Sequence, residues 1–340
     1  MKQRRLSPGP LLNEKGDLLE AGYATSLVKT YKRSSVKVKG MRIKEWDYYY
    51  IGDESKGIAF TVADNSYMWL TSVTLFDFIN QKEKTKTFMG WFPNGKLHMP
   101  ETSKEGDVRF TKKNHSISFI HEKNQRHLKV FVKNFDDHHD LTADLILKQT
   151  IKDTMVIATP FQKKGHFYYN QKINLLKASG QVTVGDTVYN LNDAYGVLDW
   201  GRGVWTYHNT WYWSSLSGIY EGKKIGFNLG YGFGDTRQAT ENMLFYEDQT
   251  YKLDDIIFDI PKINNKDDFM SPWKIISKDH KIDLTFTPIL DRHSHSNVIF
   301  ISSNQHQVFG KFSGSFQVSE NKKIEIHDMI GFAEKVMNKW

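Results

Sequence analysis

No cysteine occurs among the 340 residues. Disulfides, Cys-ligated zinc or iron–sulfur centres and a thiol nucleophile are therefore excluded. No apolar run approaches the roughly 18 residues needed to span a bilayer, so no transmembrane segment is expected. The start, Met1-Lys2-Gln3-Arg4-Arg5-Leu6-Ser7-Pro8, is basic but leads into no apolar stretch. That argues against a signal peptide and for a cytoplasmic protein. A Gly-x-Ser-x-Gly elbow is missing, which argues against an α/β-hydrolase. The glycine-rich run Gly226 to Gly234 lacks the Gly-Lys-Ser/Thr ending of a phosphate loop. Its β-pattern also offers no helix N-terminus to hold a phosphate. No nucleotide or other cofactor is expected. His293 and His295 share one strand face after Asp291-Arg292, but no third ligand stands at a diagnostic spacing, so no metal is expected. His138-His139-Asp140 reads as a polar loop.

Basic excess is also missing from most of the chain. Residues 1–45 hold 11 Lys/Arg against 4 Asp/Glu, which accounts for the whole net charge of +7. The body balances at zero, so it offers no basic face for nucleic acid. A solvated basic arm is the reading of residues 1–40, with weak peripheral membrane contact as its furthest reach. Pro8, Gly9 and Pro10 break regular structure there, and Leu11-Leu12 reads as a short apolar anchor.

What is present in quantity is aromatic surface, at 14% of residues, enough large apolar area to build a core. From Arg42 the chain becomes short alternating segments, at 116–120, 128–132, 143–148, 181–189, 282–287, 298–302 and 324–330. Between them lie the turn signals Asn94-Gly95, Gly185-Asp186, Glu221-Gly222 and Asn321-Lys322. That spacing predicts an all-β sandwich or barrel. Two weak helix candidates remain, Phe332 to Trp340 and Met68 to Ile79, the latter β-branched enough to be strand.

The pattern Trp-x7-Glu-x-Lys-x-Ile-x-Phe occurs twice without a gap. It runs through Trp46, Glu54, Lys56, Ile58 and Phe60, then through Trp213, Glu221, Lys223, Ile225 and Phe227. The offset is about half the chain, which points to duplication. Each copy reads as a hairpin. Two antiparallel barrel domains are expected, 41–168 and 169–340, with the divide near Gly165–Asn174.

The densest chemistry lies in Leu198 to Trp213, which holds four of the nine tryptophans. From Trp205 the aromatics fall at odd positions, Trp205, Tyr207, Trp211 and Trp213, the period of one strand face. His208 stands on the opposite face, as the best single histidine for proton transfer. Just upstream, Asp199 and Arg202 flank Trp200 and Gly201. They read either as a site pair or as an ion pair closing a turn. Glu241, followed by Asn242, is a candidate general acid, because a carboxyl near aromatics has its pKa raised. In the first repeat, Glu45 and Asp47 stand on the face opposite Trp46.

Several stretches resemble the DUF2804 family, bacterial and fungal proteins named only as a domain of unknown function. They are Arg42 to Tyr49, Leu198 to Trp205, Ile225 to Asp235, Ala239 to Tyr246 and Gly331 to Val336. More distantly, that family is similar to tandem lipocalin-like proteins that include carotenoid hydratases, tocopherol cyclase and fungal cyclases of the Diels–Alder type. The resemblance implies two tandem antiparallel lipocalin-like β-barrels and an apolar small-molecule ligand. Together with the residues it gives three readings of function. The first is binding of an apolar or lipid-like molecule in an aromatic-lined pocket, with cofactor-independent cyclisation, isomerisation or hydration. The second is a non-catalytic carrier, and the third a carbohydrate-binding or glycan-modifying β-protein. The acid–base candidates are Asp199, Arg202, Glu241 and His208. The ligand-wall candidates are Trp46, Trp200, Trp205, Tyr207, Trp211, Trp213 and Asn242.

Overall fold

Alternation of apolar and polar residues makes strand nearly the only regular structure among the described residues, as the sequence predicts. The structure, a computed structural model, describes residues 3–298 and 301–339. Met1, Lys2, Ile299, Phe300 and Trp340 lie outside the described residues. So do the tip of the arm, part of the 298–302 run and the last residue of the C-terminal helix candidate.

The long strands of the first half are β1 (Lys44–Gly52), β2 (Lys56–Asp64), β3 (Met68–Asp77), β4 (Lys82–Trp91), β5 (Val108–Lys112), β6 (His115–Glu122), β7 (Gln125–Val132), β8 (Leu141–Gln149), β9 (Phe167–Val184) and β10 (Tyr195–Val204). They form one curled antiparallel sheet in the order β4-β3-β2-β1-β10-β9-β8-β7-β6-β5. The second half supplies β11 (His208–Tyr220), β12 (Lys223–Tyr231), β13 (Met243–Tyr246), β14 (Gln249–Lys252), β15 (Ile256–Asp259), β16 (Trp273–Ser277), β17 (Ile282–Val298), β18 (Ile301–Ser319) and β19 (Lys322–Lys339). Their order is β14-β13-β12-β11-β19-β18-β17-β16-β15. In each half a meander of four strands is read backwards to its first strand, which then pairs with the last strand of that half.

The duplication is visible in the register. In β1–β2, Trp46 pairs with Ala63 and Tyr49 with Phe60. In β11–β12, Trp213 pairs with Gly230 and Leu216 with Phe227. The two hairpins are in the same register around the repeated pattern. Each half wraps its own core. Phe60, Val73, Leu128, Leu145, Tyr169 and Trp200 belong to the first. Phe227, Trp273, Phe286 and Phe312 belong to the second.

Three expectations change. Both helix candidates are strand, in β3 and β19, because each has a partner on both sides and ladder hydrogen bonds override weak local propensity. The expected divide at 168/169 falls inside β9. That strand belongs wholly to the first sheet, pairing with β8 through its end and with β10 through its start. The chain passes from one sheet to the other between Val204 and His208. Thirdly, the arm is docked rather than solvated, and Leu11-Leu12 is the apolar anchor expected of it. Leu6, Leu11 and Leu12 are buried in the first core, and Gly22–Ala24 adds a strand beside Met155–Pro160. Lys29 is buried against Glu20 at 2.6 Å. Among the described residues no helix is long and apolar enough to cross a membrane.

Candidate functional site

The two sheets meet along a seam, and the alternation of each strand decides what it presents there. β1 turns Trp46, Tyr48 and Tyr50 to the seam and buries Tyr49 and Ile51 in the first barrel. β9 turns Tyr168, Asn170 and Lys172 the same way, β10 contributes Asp199, and β11 contributes Trp211 and Trp213. Across from them stand Gln307 and Phe309 of β18 and Phe332 and Glu334 of β19. Asn174, at the bulge of β9, crosses the seam: its Nδ2 donates to Ser215 Oγ at 2.8 Å and to Phe227 O at 3.0 Å.

Within this apolar wall sits a cluster of charges. Lys172 Nζ lies 2.8 Å from Asp199 Oδ1 and 3.7 Å from the centroid of the Trp213 ring. Asp199 also accepts from Asn170 Nδ2 at 2.6 Å and from Trp46 Nε1 at 3.1 Å. Glu334 accepts from Trp211 Nε1 at 3.0 Å and from Gln307 Nε2 at 3.1 Å. Burial pushes the Glu334 carboxyl up to about 7, against the opposing pull of the Trp211 N–H and the Lys172 charge. Burial also raises Glu241, which feels both Lys172 and Asp199. Three buried carboxyls and one lysine thus share a water-poor site, and one of them carries its proton near neutrality. Such a group serves as a general acid at physiological pH.

Over the cluster lies an aromatic cage. Trp46 stacks on Tyr168 at 6.0 Å and meets Trp205 edge-on at 5.3 Å. Trp213 completes the wall, its Nε1 donating to Asn228 Oδ1 at 2.7 Å. Two glycines make room for it. A Cβ on Gly201 would come within 2.0 Å of the Trp46 ring, and one on Gly230 within 2.8 Å of Glu241 Oε1. A separate half-open cavity of about 740 Å³ lies further along the seam, between the turns of the two repeated hairpins, lined by Tyr50, Asp53, Asn192, Tyr220, His327 and Gly331 among others. Its polar lining comes mostly from turn residues, whereas the buried charges lie deeper, at Asp199 and Glu334.

The sequence profile of a domain of unknown function, DUF2804, matches residues 2–340. The chain belongs to the DUF2804 family. No curated protein matches this DUF2804 chain in sequence. Among solved structures it is similar to a protein assigned as AttH from Nitrosomonas europaea, with a TM-score of 0.54 and 12% identity over 92% of this chain and 98% of that one. Kievitone hydratase from Nectria haematococca gives a TM-score of 0.47 and 11% identity over 92% and 96%. The first of these likenesses concerns the fold alone, which is that of tandem lipocalin-like barrels.

In this DUF2804 chain the expected site residues separate into two groups. Asp199, Glu241, Trp46, Trp205, Trp211 and Trp213 meet in the seam. Arg202 does not join Asp199, because an offset of three along a strand points the two to opposite faces. Arg202 is fully buried in the first barrel, 3.0 Å from Asp47 Oδ1 and donating to Pro100 O at 2.8 Å. Trp200 lies beside it, its ring 4.3 Å from the guanidinium, and fills barrel interior rather than a ligand wall. Asp47 and Glu45 face inward, but as partners of Arg202 and Arg33. The predicted single strand from Trp205 to Trp213 is broken, since Trp205 to Tyr207 form the crossing between sheets. Tyr207 and His208 are consequently exposed, away from the charges. Asn242 is a structural peg: its Oδ1 accepts the Gly230 N–H at 2.7 Å and its Nδ2 donates to Asp254 O at 2.9 Å. His293 and His295 are exposed on β17, and among the described residues no three His, Asp or Glu converge as a metal site would need.

Lys172 and Glu334 escaped the sequence reading, with their supports Asn170 and Gln307. A signal existed for each. Lys172 is a cation inside the run Phe167 to Leu176, and Glu334 an acid inside Ile330 to Val336. A charge in a strand that is otherwise buried needs a partner.

Proposed function

We propose that the seam binds an apolar small molecule bearing a polar group and performs cofactor-independent acid–base chemistry on it, a hydration, isomerisation or cyclisation. The observation that carries this reading is the burial of Lys172, Asp199, Glu241 and Glu334 together inside an aromatic wall. Each buried ion costs several kcal/mol of desolvation, and apolar residues of equal volume would stabilise the seam as well or better. Buried carboxyls raised by desolvation beside charged partners, as Glu241 and Glu334 are, mark candidate functional sites. Glu334, protonated near neutrality, is the proton donor. The Lys172–Asp199 pair orients the polar group of the ligand, and Glu241 supplies the second carboxyl, so a proton given at one point is recovered at another and no cofactor is consumed. The tryptophans supply non-directional attraction for the apolar part.

A carrier reading differs from this in giving Glu334 and Glu241 no proton to move. Native mass spectrometry of the purified protein, followed by incubation of any co-purified ligand with wild type and Glu334→Gln, separates the two. Turnover that falls by roughly 10²–10⁴ in the variant, with ligand mass still retained, is the expected result for general acid catalysis. Retention with no turnover in either protein sinks the catalytic reading. The glycan reading gains no support, because Trp205 and Trp213 are buried rather than presented to solvent.

A further inference from the structure

The aromatic cage beside the carboxyls is filled by the protein itself. The ring of Phe233 lies 4.7 Å from Tyr168, 5.0 Å from Trp211, 5.2 Å from Trp205 and 5.3 Å from Phe161, each contact edge-on. Phe233 belongs to neither sheet there. β12 ends at Tyr231 and β13 begins at Met243, so residues 232–242 form an irregular loop laid over the seam. Gly232, Arg237 and Gln238 are exposed while Phe233 is buried. Gly232 and Gly234, on either side of Phe233, have φ of +93° and +79°, the left-handed region that glycine enters at no steric cost. Two glycine corners thus turn one ring inward from an exposed loop.

The two ends of this loop are held differently. At its far end Asn228 Nδ2 donates to Glu241 O at 2.7 Å, and Asn242 accepts the Gly230 N–H. Glu241 is therefore fixed. Near Phe233 the ties are a 3.4 Å bond from Thr159 Oγ1 to Phe233 O and the Asp235 N–H on Pro160 O. The side chains of Asp235 and Arg237 pair with each other on the surface.

We propose that Phe233 occupies the subsite for an aryl ring of the ligand, and that such a ligand enters by displacing Phe233 about Gly232 and Gly234. The proposal rests on the seam being the site of reaction and names the class of molecule it takes. An incoming phenyl-sized ring finds the partners Phe233 now has, Tyr168, Trp205 and Trp211, in the edge-to-face geometry that aromatic pairs prefer. A saturated chain of the same size gains the area but not that geometry. Displacement would also free the face of Trp211, whose indole N–H bonds Glu334. Glu241, on the fixed end of the same loop, stays beside the charge cluster when Phe233 leaves.

The test uses the full chain with 4-fluorophenylalanine at position 233, 2-naphthol as the aryl probe and cyclohexanol as the saturated one. In the free protein the fluorine resonance should carry the ring-current shift of its tryptophan neighbours. Titration with 2-naphthol should move it to the solvent value, with the same midpoint as tryptophan quenching, and cyclohexanol should do neither. Because the native ring competes for the site, Phe233→Ala should bind 2-naphthol more tightly, by roughly tenfold if the closed loop dominates the free state. Phe233→Leu, which keeps an apolar plug, serves if the alanine variant does not fold, and should also bind more tightly than wild type. Quenching without movement of the fluorine resonance would overturn the proposal, as would equal affinity for both probes. Glu334-dependent turnover accompanied by an unmoved fluorine signal would overturn this gate while leaving the acid–base reading intact.

Discussion

Lys172 Nζ stands between the carboxylate of Asp199, at 2.8 Å, and the ring of Trp213, at 3.7 Å from its centroid. One cation of the first half therefore joins an acid of its own sheet to an aromatic of the other. Asp199 and Lys172 are directly opposed across the β9–β10 ladder, so the backbone register places the pair before any side chain is chosen.

The consequence is a strong non-additivity. Lys172→Met leaves Asp199 buried without its cation, and truncating one partner of a buried pair costs about 3–5 kcal/mol. Asp199→Asn leaves Lys172 unpaired and should cost a similar amount. The double variant removes both charges, so its loss of unfolding free energy should be well below the sum of the two. Denaturant unfolding of the four proteins measures the coupling, and additive losses would show that the pair is not a unit.

The second prediction concerns pH. Burial raises Glu334 from 4.5 to about 7, so between those values the folded state holds a proton that the unfolded chain has released. Stability must then fall as pH rises from about 4.5 to about 7 and level off above, the reverse of a salt-bridged carboxylate. The raised value corresponds to roughly 3 kcal/mol lost across the window, at about 1.4 kcal/mol per pH unit. Glu334→Gln should flatten this part of the stability profile. An unchanged slope in the variant would show that Glu334 does not hold the proton.

Much of the fold was legible because strand alternation and turn residues are local signals. The repeat at Trp46 and Trp213 fixed even the hairpin register. Two things were not legible. Alternation reveals two faces but not which face meets the other sheet, so Trp200 and Arg202 looked like neighbours of Asp199 when they lie behind it. The site is also assembled from Trp46, Lys172, Asp199, Trp213, Glu241 and Glu334, separated by long stretches of chain. No local spacing joins them. Only a buried charge in an apolar strand hinted at Lys172 and Glu334.

The arm yields a third prediction, because its first residues are tied down as well as its Leu11-Leu12 anchor. Gln3 Nε2 donates to Leu253 O at 2.8 Å, and its Oε1 accepts the Thr240 N–H at 2.9 Å, tying the start of the chain to the loop that carries Glu241. Leu6 is buried as well. Deleting residues 1–8 should therefore lower the melting temperature. Removing Leu11 and Leu12 as well should lower it further, since each buried leucine contributes about 1.5–3 kcal/mol. A thermal melt of the first truncation that matches wild type would show that the tie at Gln3 and Leu6 carries no weight.

The last prediction turns on a missing side chain. Trp46 lies flat over Gly201, its partner across the β1–β10 ladder, and a Cβ there would reach within 2.0 Å of the indole. Gly201→Ala must push Trp46 aside, which breaks its bond to Asp199 Oδ2 and its edge contact with Trp205. Overpacking of this kind costs about 1–3 kcal/mol. Trp46→Phe alone loses the indole N–H and some area. A smaller ring, however, has room for the added methyl, so the double variant Trp46→Phe/Gly201→Ala should be more stable than the two single losses predict when added. Unfolding free energies give that coupling, and tryptophan emission gives an independent view of it. Gly201→Ala should shift the emission toward that of an exposed indole, and the shift should be absent when Trp46 is already Phe. A Gly201→Ala protein with wild-type emission and stability would mean that the glycine is not what holds Trp46 over the carboxylates.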